Sequence, residues 1–171
     1  MSVNIELLYV AIYSYLLGSI PFGLVITKLF LKKDIRKIGS GNIGATNVLR
    51  TGKKALGIAT LILDGFKAYT SVLITLSFFP DYIYLSALLC MLGHIFPVWL
   101  KFYGGKGISV YLGVLFAFSH YLGFIFIINW IIVLYISKYS SLSSLVSTLL
   151  IFLISIYLNN FNMSLFFFYN F

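Results

Sequence analysis

Residues 55–79, with the sequence ALGIATLILDGFKAYTSVLITLSFF, form an apolar run whose only charged members are Asp64 and Lys67. A helix needs about 20 mainly apolar residues to cross the roughly 30 Å hydrocarbon core of a bilayer, and this run has that length. It lacks the alternation of polar and apolar residues that a strand of a membrane barrel would need. The run therefore predicts a membrane-spanning helix.

Similar apolar runs continue on both sides of this stretch. They occupy residues 7–31, 83–100, 108–119, 121–137 and 141–158, with a fragment at 163–171. The chain is 61% hydrophobic and 9% charged, whereas a soluble domain is roughly half apolar and a quarter charged. We therefore expect an all-α, polytopic integral membrane bundle of six transmembrane helices plus a truncated seventh, forming one domain over residues 1–171.

Two of these runs are irregular. As a helix, residues 108–119 would reach only about 18 Å, so we expect a short helix shielded by its neighbours. The first run contains Ser19-Ile20-Pro21, and a proline removes a backbone hydrogen-bond donor. We therefore expect a kink in the first helix.

The basic residues lie almost entirely on one side of this topology. They flank the odd-numbered connections, at Lys28, Lys32, Lys33, Arg36, Lys37, Arg50, Lys53, Lys54, Lys101, Lys106 and Lys138, while the even-numbered connections have none. Lys and Arg in short loops mark the cytoplasmic face. This pattern predicts that the basic loops are cytoplasmic and that the N-terminus is outside. The net charge of +8 suits anionic headgroups and an anionic substrate equally well.

The first basic loop has the composition of a phosphate-binding site. It runs through Gly39, Ser40, Gly41, Asn42, Ile43, Gly44, Ala45, Thr46 and Asn47, and Arg50 follows. Glycines let backbone amides turn toward an anion, Ser, Thr and Asn add side-chain donors, and Arg can clamp a phosphate. If the second membrane helix begins near Gly44, its free N–H groups would face the same anion. The alternative is a flexible loop whose charges meet lipid headgroups.

A second loop on the same face repeats this chemistry. His94 and Pro97 are followed by the glycine-rich stretch Gly104-Gly105-Lys106-Gly107, where the backbone can approach an anion closely and an ammonium can contact it. Lys106 by itself could simply mark topology, and a single histidine near a helix end is more often structural than catalytic. Two such loops on one face favour a shared anion site.

Asp64 and Lys67 are three residues apart and so share one face of the second membrane helix. Charges at this depth are costly and must pair or face a polar cavity. A structural ion pair is the preferred interpretation, with a functional site as the alternative.

Nucleophilic and metal-dependent chemistry finds no support in the sequence. It contains no Ser/His/Asp constellation, no HxxxxD pattern and no metal-ligand spacing, and Cys90 lacks an obvious base. We therefore expect no cofactor, and an enzyme of this kind would need substrates that are already reactive.

The motifs together resemble the bacterial PlsY family, the membrane acylphosphate:glycerol-3-phosphate acyltransferases. The similarity rests on both loops and on Gly18-Ser19-Ile20-Pro21-Phe22-Gly23, Asp64-Gly65-Phe66-Lys67, Gly93-His94-Ile95-Phe96-Pro97 and Lys138-Tyr139-Ser140-Ser141-Leu142-Ser143-Ser144. The resemblance implies transfer of a fatty acyl group from acyl phosphate to glycerol-3-phosphate, the first acylation of phospholipid synthesis. It implies that Ser40, Arg50 and Lys106 hold phosphate, and it implies a location in the bacterial cytoplasmic (inner) membrane.

The same resemblance implies a wider set of substrate-binding residues. These are Gly41, Asn42, Gly44, Thr46, Asn47, His94, Gly104, Gly105, Gly107 and Ser141. Partners are then the two substrates and membrane lipids, with no nucleic acid and no obligate protein partner. Because an acyl phosphate is already reactive, positioning and charge stabilisation would suffice, and a substrate phosphate could accept the proton.

The resemblance also implies a third motif, with a His and an Asn, beyond a seventh helix. The sequence instead ends at residues 159–171, so we expect a site that lacks one wall. An inactive remnant of the acyltransferase is therefore one alternative. An anion or phosphate transporter is another, although the basic residues cluster at one interface and the sequence shows no internal repeat, unlike a typical transporter.

Overall fold

The computed structural model describes residues 5–159, and this part of the chain is entirely helical and loop. It forms eight α-helices: α1 (Ile5–Gly18), α2 (Phe22–Leu31), α3 (Ala45–Leu49), α4 (Lys54–Phe78), α5 (Ile83–Ile95), α6 (Ile108–Phe118), α7 (His120–Ser137) and α8 (Ser140–Asn159). All six predicted apolar runs are helical, which confirms the all-α fold class. The predicted truncated seventh helix falls outside the described residues.

Within residues 5–159, five stretches are long and apolar enough to cross a membrane. They are Ile5–Leu31, Lys54–Phe78, Pro80–Leu100, His120–Ser137 and Ser140–Leu158. The predicted short helix is present as α6, which is too short for this criterion. The number of crossings therefore stays a prediction.

The chain divides into two compact units. The first is Met1–Val114, which carries both basic loops, and the second is Leu115–Phe171. Within the second unit α7 and α8 pack side by side, where Asn129 Nδ2 donates to Ser147 Oγ at 3.0 Å and Trp130 Nε1 donates to Ser144 Oγ at 3.1 Å. A single domain over residues 1–171 stays a prediction.

The expected kink in the first membrane segment is a full interruption. α1 ends at Gly18 and α2 begins at Phe22, because Pro21 lacks the N–H that would continue the ladder. Trp99 Nε1 donates to Ser19 Oγ at 2.7 Å. The interruption is thereby tied to the loop that follows α5.

α1 and α5 cross at Gly18 and Gly93, where the backbones of the two helices are in direct contact. A Cβ at Gly18 would lie 2.1 Å from Cys90 O, and one at Gly93 would lie 2.3 Å from Tyr15 O. Between lipid-embedded helices small residues permit this backbone approach, and van der Waals packing is a main source of association. The crossing fixes the end of α5, from which the second basic loop departs.

Gly44 begins a helix, but not the second membrane helix. It is the N-cap of α3, which has five residues, and α4 begins later at Lys54. A turn separates the two helices, with Thr51 Oγ1 donating to Val48 O at 2.7 Å. The free N–H groups near Gly44 therefore belong to a short helix inside the first loop.

Candidate functional site

Asn47 organises the first basic loop. This residue of α3 is buried, and its Nδ2 donates to Ile35 O at 3.1 Å, Ile38 O at 2.9 Å and Asn42 O at 2.8 Å. Its Oδ1 accepts from the backbone N–H of Ser40 at 3.0 Å. One side chain therefore sets the path of the loop on both sides of Ser40, and its amide is already occupied by loop contacts.

An apolar cluster anchors the same loop to the membrane helix before it. Leu24 of α2 packs with Ile35, Ile43 and Val48. These side chains are buried, whereas Ser40 is exposed. The loop thus has a fixed apolar base and a polar outer edge.

The second basic loop doubles back onto the end of α5. After Pro97 the chain turns through a short 3-10 helix at Val98–Leu100. It then returns so that Gly104 N donates to Ile95 O and Gly105 N donates to His94 O, both at 3.0 Å. The glycine-rich stretch is therefore held against α5 by two backbone hydrogen bonds.

The two loops meet around a pocket of about 460 Å³. Its lining residues are Arg36, Ser40, Gly41, Asn42, Ile95, Phe102, Tyr103, Gly104 and Lys106. Ser40 and Lys106 were predicted on separate loops, and the fold brings them to one cavity. A hydroxyl, an ammonium and glycine backbone that line the same small pocket can together bind a phosphate.

Arg36 is a second cation of this pocket, and its charge alone does not distinguish it from the other basic residues of the first loop. Its Nη2 lies 2.6 Å from Asp34 Oδ2 and its Nε 3.0 Å from Asp34 Oδ1. These hydrogen bonds lower the pKa of the Asp34 carboxyl to about 2 and raise the pKa of Arg36. The carboxylate holds one edge of the guanidinium, and the remaining N–H groups can donate to an anion.

The sequence feature that could have identified Arg36 is its spacing from an acidic residue, Asp34-x-Arg36. Asp34 caps the short 3-10 helix that carries Arg36, accepting the N–H of Arg36 at 3.0 Å. Among several basic residues in one loop, such a cap marks the residue whose orientation is fixed. Whether that orientation faces the second loop depends on the tertiary fold.

Arg50 lies outside the pocket lining. It is exposed at the C-terminal end of α3, and its side chain covers Gly39, where a Cβ would lie 2.9 Å from Arg50 Cδ and 3.3 Å from its Nη1. Other predicted site residues also lie outside the lining: Gly44, Thr46, Asn47, His94, Gly105, Gly107 and Ser141. Ser141 is exposed in the first turn of α8, in the second unit.

A buried polar cluster lies below the pocket loops in the first unit. Lys67 Nζ is 2.9 Å from Asp64 Oδ1, and these side chains are only 2% and 1% exposed. The ammonium also donates to Ile20 O at 2.6 Å and lies 3.0 Å from His94 Nδ1. The pair has the geometry that its spacing predicts, and it links α4 to the α1–α2 interruption and to α5.

Comparison with known proteins assigns this architecture to a family. A family model for glycerol-3-phosphate acyltransferase matches residues 8–171. The chain belongs to the glycerol-3-phosphate acyltransferase family. It is therefore an acyltransferase with several membrane-spanning helices, as predicted, and the family assignment favours this function over a transporter.

Individual members of the glycerol-3-phosphate acyltransferase family have sequences closely similar to that of this chain. The protein of that name from Pelagibacter ubique (strain HTCC1062) is 59% identical over 162 residues, which cover 95% of this chain and 84% of the relative. The one from Wolbachia pipientis wMel is 52% identical over 142 residues, covering 81% and 73%.

Solved structures of the family give the same result. A crystal structure of PlsY, an integral membrane glycerol 3-phosphate acyltransferase in its glycerol 3-phosphate form, superposes with a TM-score of 0.83 at 38% identity, covering 91% of this chain and 78% of PlsY. The lysophosphatidic acid form gives 0.81 at 37% identity, covering 91% and 77%. At this similarity the common fold extends over nearly the whole chain.

Proposed function

We propose that the protein transfers a fatty acyl group from acyl phosphate to glycerol-3-phosphate, releasing lysophosphatidic acid and inorganic phosphate. The observation that carries this proposal is the convergence of Ser40, Arg36 and Lys106 on one pocket in a chain of this family. Three donors of this kind suit the phosphate of glycerol-3-phosphate or that of the acyl donor.

The reaction requires little beyond positioning. The glycerol hydroxyl oxygen attacks the acyl carbonyl carbon, an ester C–O bond forms, and the C–O bond to the phosphate breaks. The hydroxyl proton passes to a phosphate oxygen, so that inorganic phosphate leaves without a protein base. Lys106 and Arg36 stabilise the charge that develops on the oxygens, which is the main task when the acyl donor is already activated.

The backbone of both loops contributes to the same site. Gly41 and Asn42 from the first loop and Gly104 from the second line the pocket, so that their main-chain atoms can approach a bound phosphate. Gly44, Thr46, Gly105, Gly107 and Ser141 keep the wider substrate-binding role that the resemblance implies. We place Asn47 with the residues that shape the loop, because its amide is occupied.

An acyl transfer assay with the purified 171-residue protein tests the donor and the site together. We expect lysophosphatidic acid from acyl phosphate and glycerol-3-phosphate, and no product when acyl-CoA or acyl carrier protein replaces acyl phosphate. Ser40→Ala and Lys106→Ala should each reduce the rate by about tenfold or more, since a hydrogen bond to a charged group is worth about 1.5–3 kcal/mol. Full activity in both variants would overturn the site.

Arg50 is tested separately because it lies outside the pocket lining. A rate loss in Arg50→Ala comparable to that of Lys106→Ala supports the phosphate-holding role that the resemblance implies. An unchanged rate removes Arg50 from the site and leaves Ser40, Arg36 and Lys106.

We further propose that the pocket faces the cytoplasm of a bacterial inner membrane, with the N-terminus outside and the whole chain acting as one membrane-embedded domain. Trypsin can report this orientation, since Lys and Arg flank the first loop and are absent from the even-numbered connections. Cleavage between residues 32 and 54 is expected in inverted membrane vesicles only. Cleavage in right-side-out vesicles would reverse the topology.

A further inference from the structure

Lys67 determines which nitrogen of His94 carries the ring proton. The two groups are 3.0 Å apart through His94 Nδ1, and the ammonium is paired with the carboxylate of Asp64 at 2.9 Å. An ammonium can only donate. His94 Nδ1 therefore accepts, and the proton of the neutral ring lies on Nε2.

The Nε2 edge of this ring lies against the second pocket loop. A Cβ at Gly105 would lie 2.1 Å from His94 Nε2 and 2.9 Å from its Cε1. The backbone N–H of Gly105 donates to His94 O at 3.0 Å. Residues 94 and 105 thus touch through both main chain and ring, and the contact requires glycine at position 105.

Gly105 separates two residues of the pocket. Gly104 and Lys106 both line it, whereas His94 and Gly105 do not. The position of the Gly105 backbone fixes the direction in which its two neighbours point. The buried His94 ring, which holds Gly105, therefore positions Lys106 at the pocket without contacting the bound substrate.

We propose that His94 is a positioning residue, which the buried Lys67 orients and which holds the Gly104–Lys106 segment in the geometry that binds glycerol-3-phosphate. The inference rests on the proposed function for the identity of the ligand. It assigns His94 a role distinct from that of substrate ligand or proton acceptor, because its Nδ1 is engaged by Lys67 and its Nε2 edge is covered by Gly105.

A double-mutant cycle between residues 94 and 105 tests the contact. Gly105→Ala places a methyl group where the ring stands, so we expect KM for glycerol-3-phosphate to rise by about tenfold or more, with a smaller change in kcat and in KM for the acyl donor. His94→Ala should also raise this KM. The double variant, in which the ring no longer occupies the space of the methyl group, should be less impaired than Gly105→Ala alone.

His94→Asn separates positioning from general stability. The Asn oxygen can take the place of Nδ1 as acceptor for Lys67, but Asn has no ring edge to cover Gly105. We expect a thermal midpoint close to that of the parent together with a raised KM for glycerol-3-phosphate. A KM equal to that of the parent would overturn the proposal, and so would a double variant whose defect equals the product of the two single defects.

Binding without turnover keeps this inference separate from the proposed reaction. Calorimetric titration of glycerol-3-phosphate into the purified protein and its variants should show the same order of affinities as the KM values. If the parent binds glycerol-3-phosphate but transfers no acyl group, the proposed reaction is wrong. The binding affinities of the parent and its variants would still complete the double-mutant cycle between residues 94 and 105. Equal affinity in the parent and Gly105→Ala would overturn the positioning role.

Discussion

Lys67 Nζ donates a 2.6 Å hydrogen bond to the main-chain oxygen of Ile20, at the interruption between α1 and α2. Pro21 ends the regular backbone ladder there, and unsatisfied backbone groups are costly inside a membrane. The ammonium therefore donates to a carbonyl of the interruption, which also accepts the backbone N–H of Phe22 at 3.2 Å, while it neutralises Asp64 on its own helix. The Lys67 ammonium thus stabilises both the buried Asp64 carboxylate and the interruption between α1 and α2.

Removing Lys67 should cost more stability than removing the charge of Asp64. Lys67→Met leaves a buried carboxylate without its cation and Ile20 O without this donor, so we expect a loss on the order of 3–5 kcal/mol in the free energy of unfolding. Asp64→Asn leaves the ammonium with two acceptors and should cost less. Unfolding in mixed detergent micelles measures both variants, and an equal or reversed order would contradict this account.

Asn47 should be essential to the order of the first loop. Asn47→Ala removes four hydrogen bonds, with an expected local loss of roughly 2–4 kcal/mol. Asn47→Asp should be at least as damaging, because a carboxylate oxygen would face three carbonyl oxygens. Hydrogen exchange at the Ser40 amide should accelerate in both variants, while amides in the middle of α7 keep their rates. An unchanged Ser40 amide would exclude this organising role.

Arg36 can be tested as a pocket residue with Lys37 as its matched control. Both carry one positive charge on the same short helix, but only Arg36 lines the cavity. We expect Arg36→Ala to raise KM for glycerol-3-phosphate by about ten- to a hundredfold, the range of a hydrogen bond to a charged group. At about 0.15 M salt, where distant charges are screened, Lys37→Ala should change it by less than about threefold. A similar rise in KM in both variants would show that Arg36 acts only through its net charge.

The Asp34–Arg36 pair should give a pH-dependent contribution to stability. Hydrogen bonds from Arg36 hold the pKa of Asp34 at about 2, below its unfolded value of about 3.9. The stabilisation is therefore complete above the unfolded pKa and is lost as the pH falls through about 2. Because the pair lies near the surface, its size should be about 1 kcal/mol or less.

Asp34→Asn tests this contribution while keeping an oxygen that can cap the N–H of Arg36. The thermal midpoints of parent and variant should differ at pH 6 and converge toward pH 2. A difference that stays constant over this range would exclude the ionised Asp34–Arg36 pair as its source.

The membrane helices could be predicted because each depends on its own residues. An apolar run of sufficient length forms a helix wherever it lies, so residues 121–137 match α7 at His120–Ser137 to within one residue. Pro21 likewise predicts its own interruption, since a missing N–H acts locally. The short α6 follows from the length of its run.

The pocket was only partly predictable because it depends on how two loops meet. Ser40 and Lys106 belong to glycine-rich motifs that indicate anion binding on their own. Arg36 resembles its basic neighbours in the sequence, and it differs from them only after the loop folds around Asn47 and reaches the second loop. The contact between His94 and Gly105 likewise depends on the return of the chain toward α5, which local sequence does not show.

The close crossing of α1 and α5 has a practical consequence for labelling chemistry. Cys90 is the sole cysteine of the chain, and it is fully buried at this crossing. Maleimide reagents should therefore leave the folded natural protein unmodified. A cysteine introduced at any accessible position would then carry the only reactive thiol, so fluorophores or spin labels can be attached without first replacing Cys90.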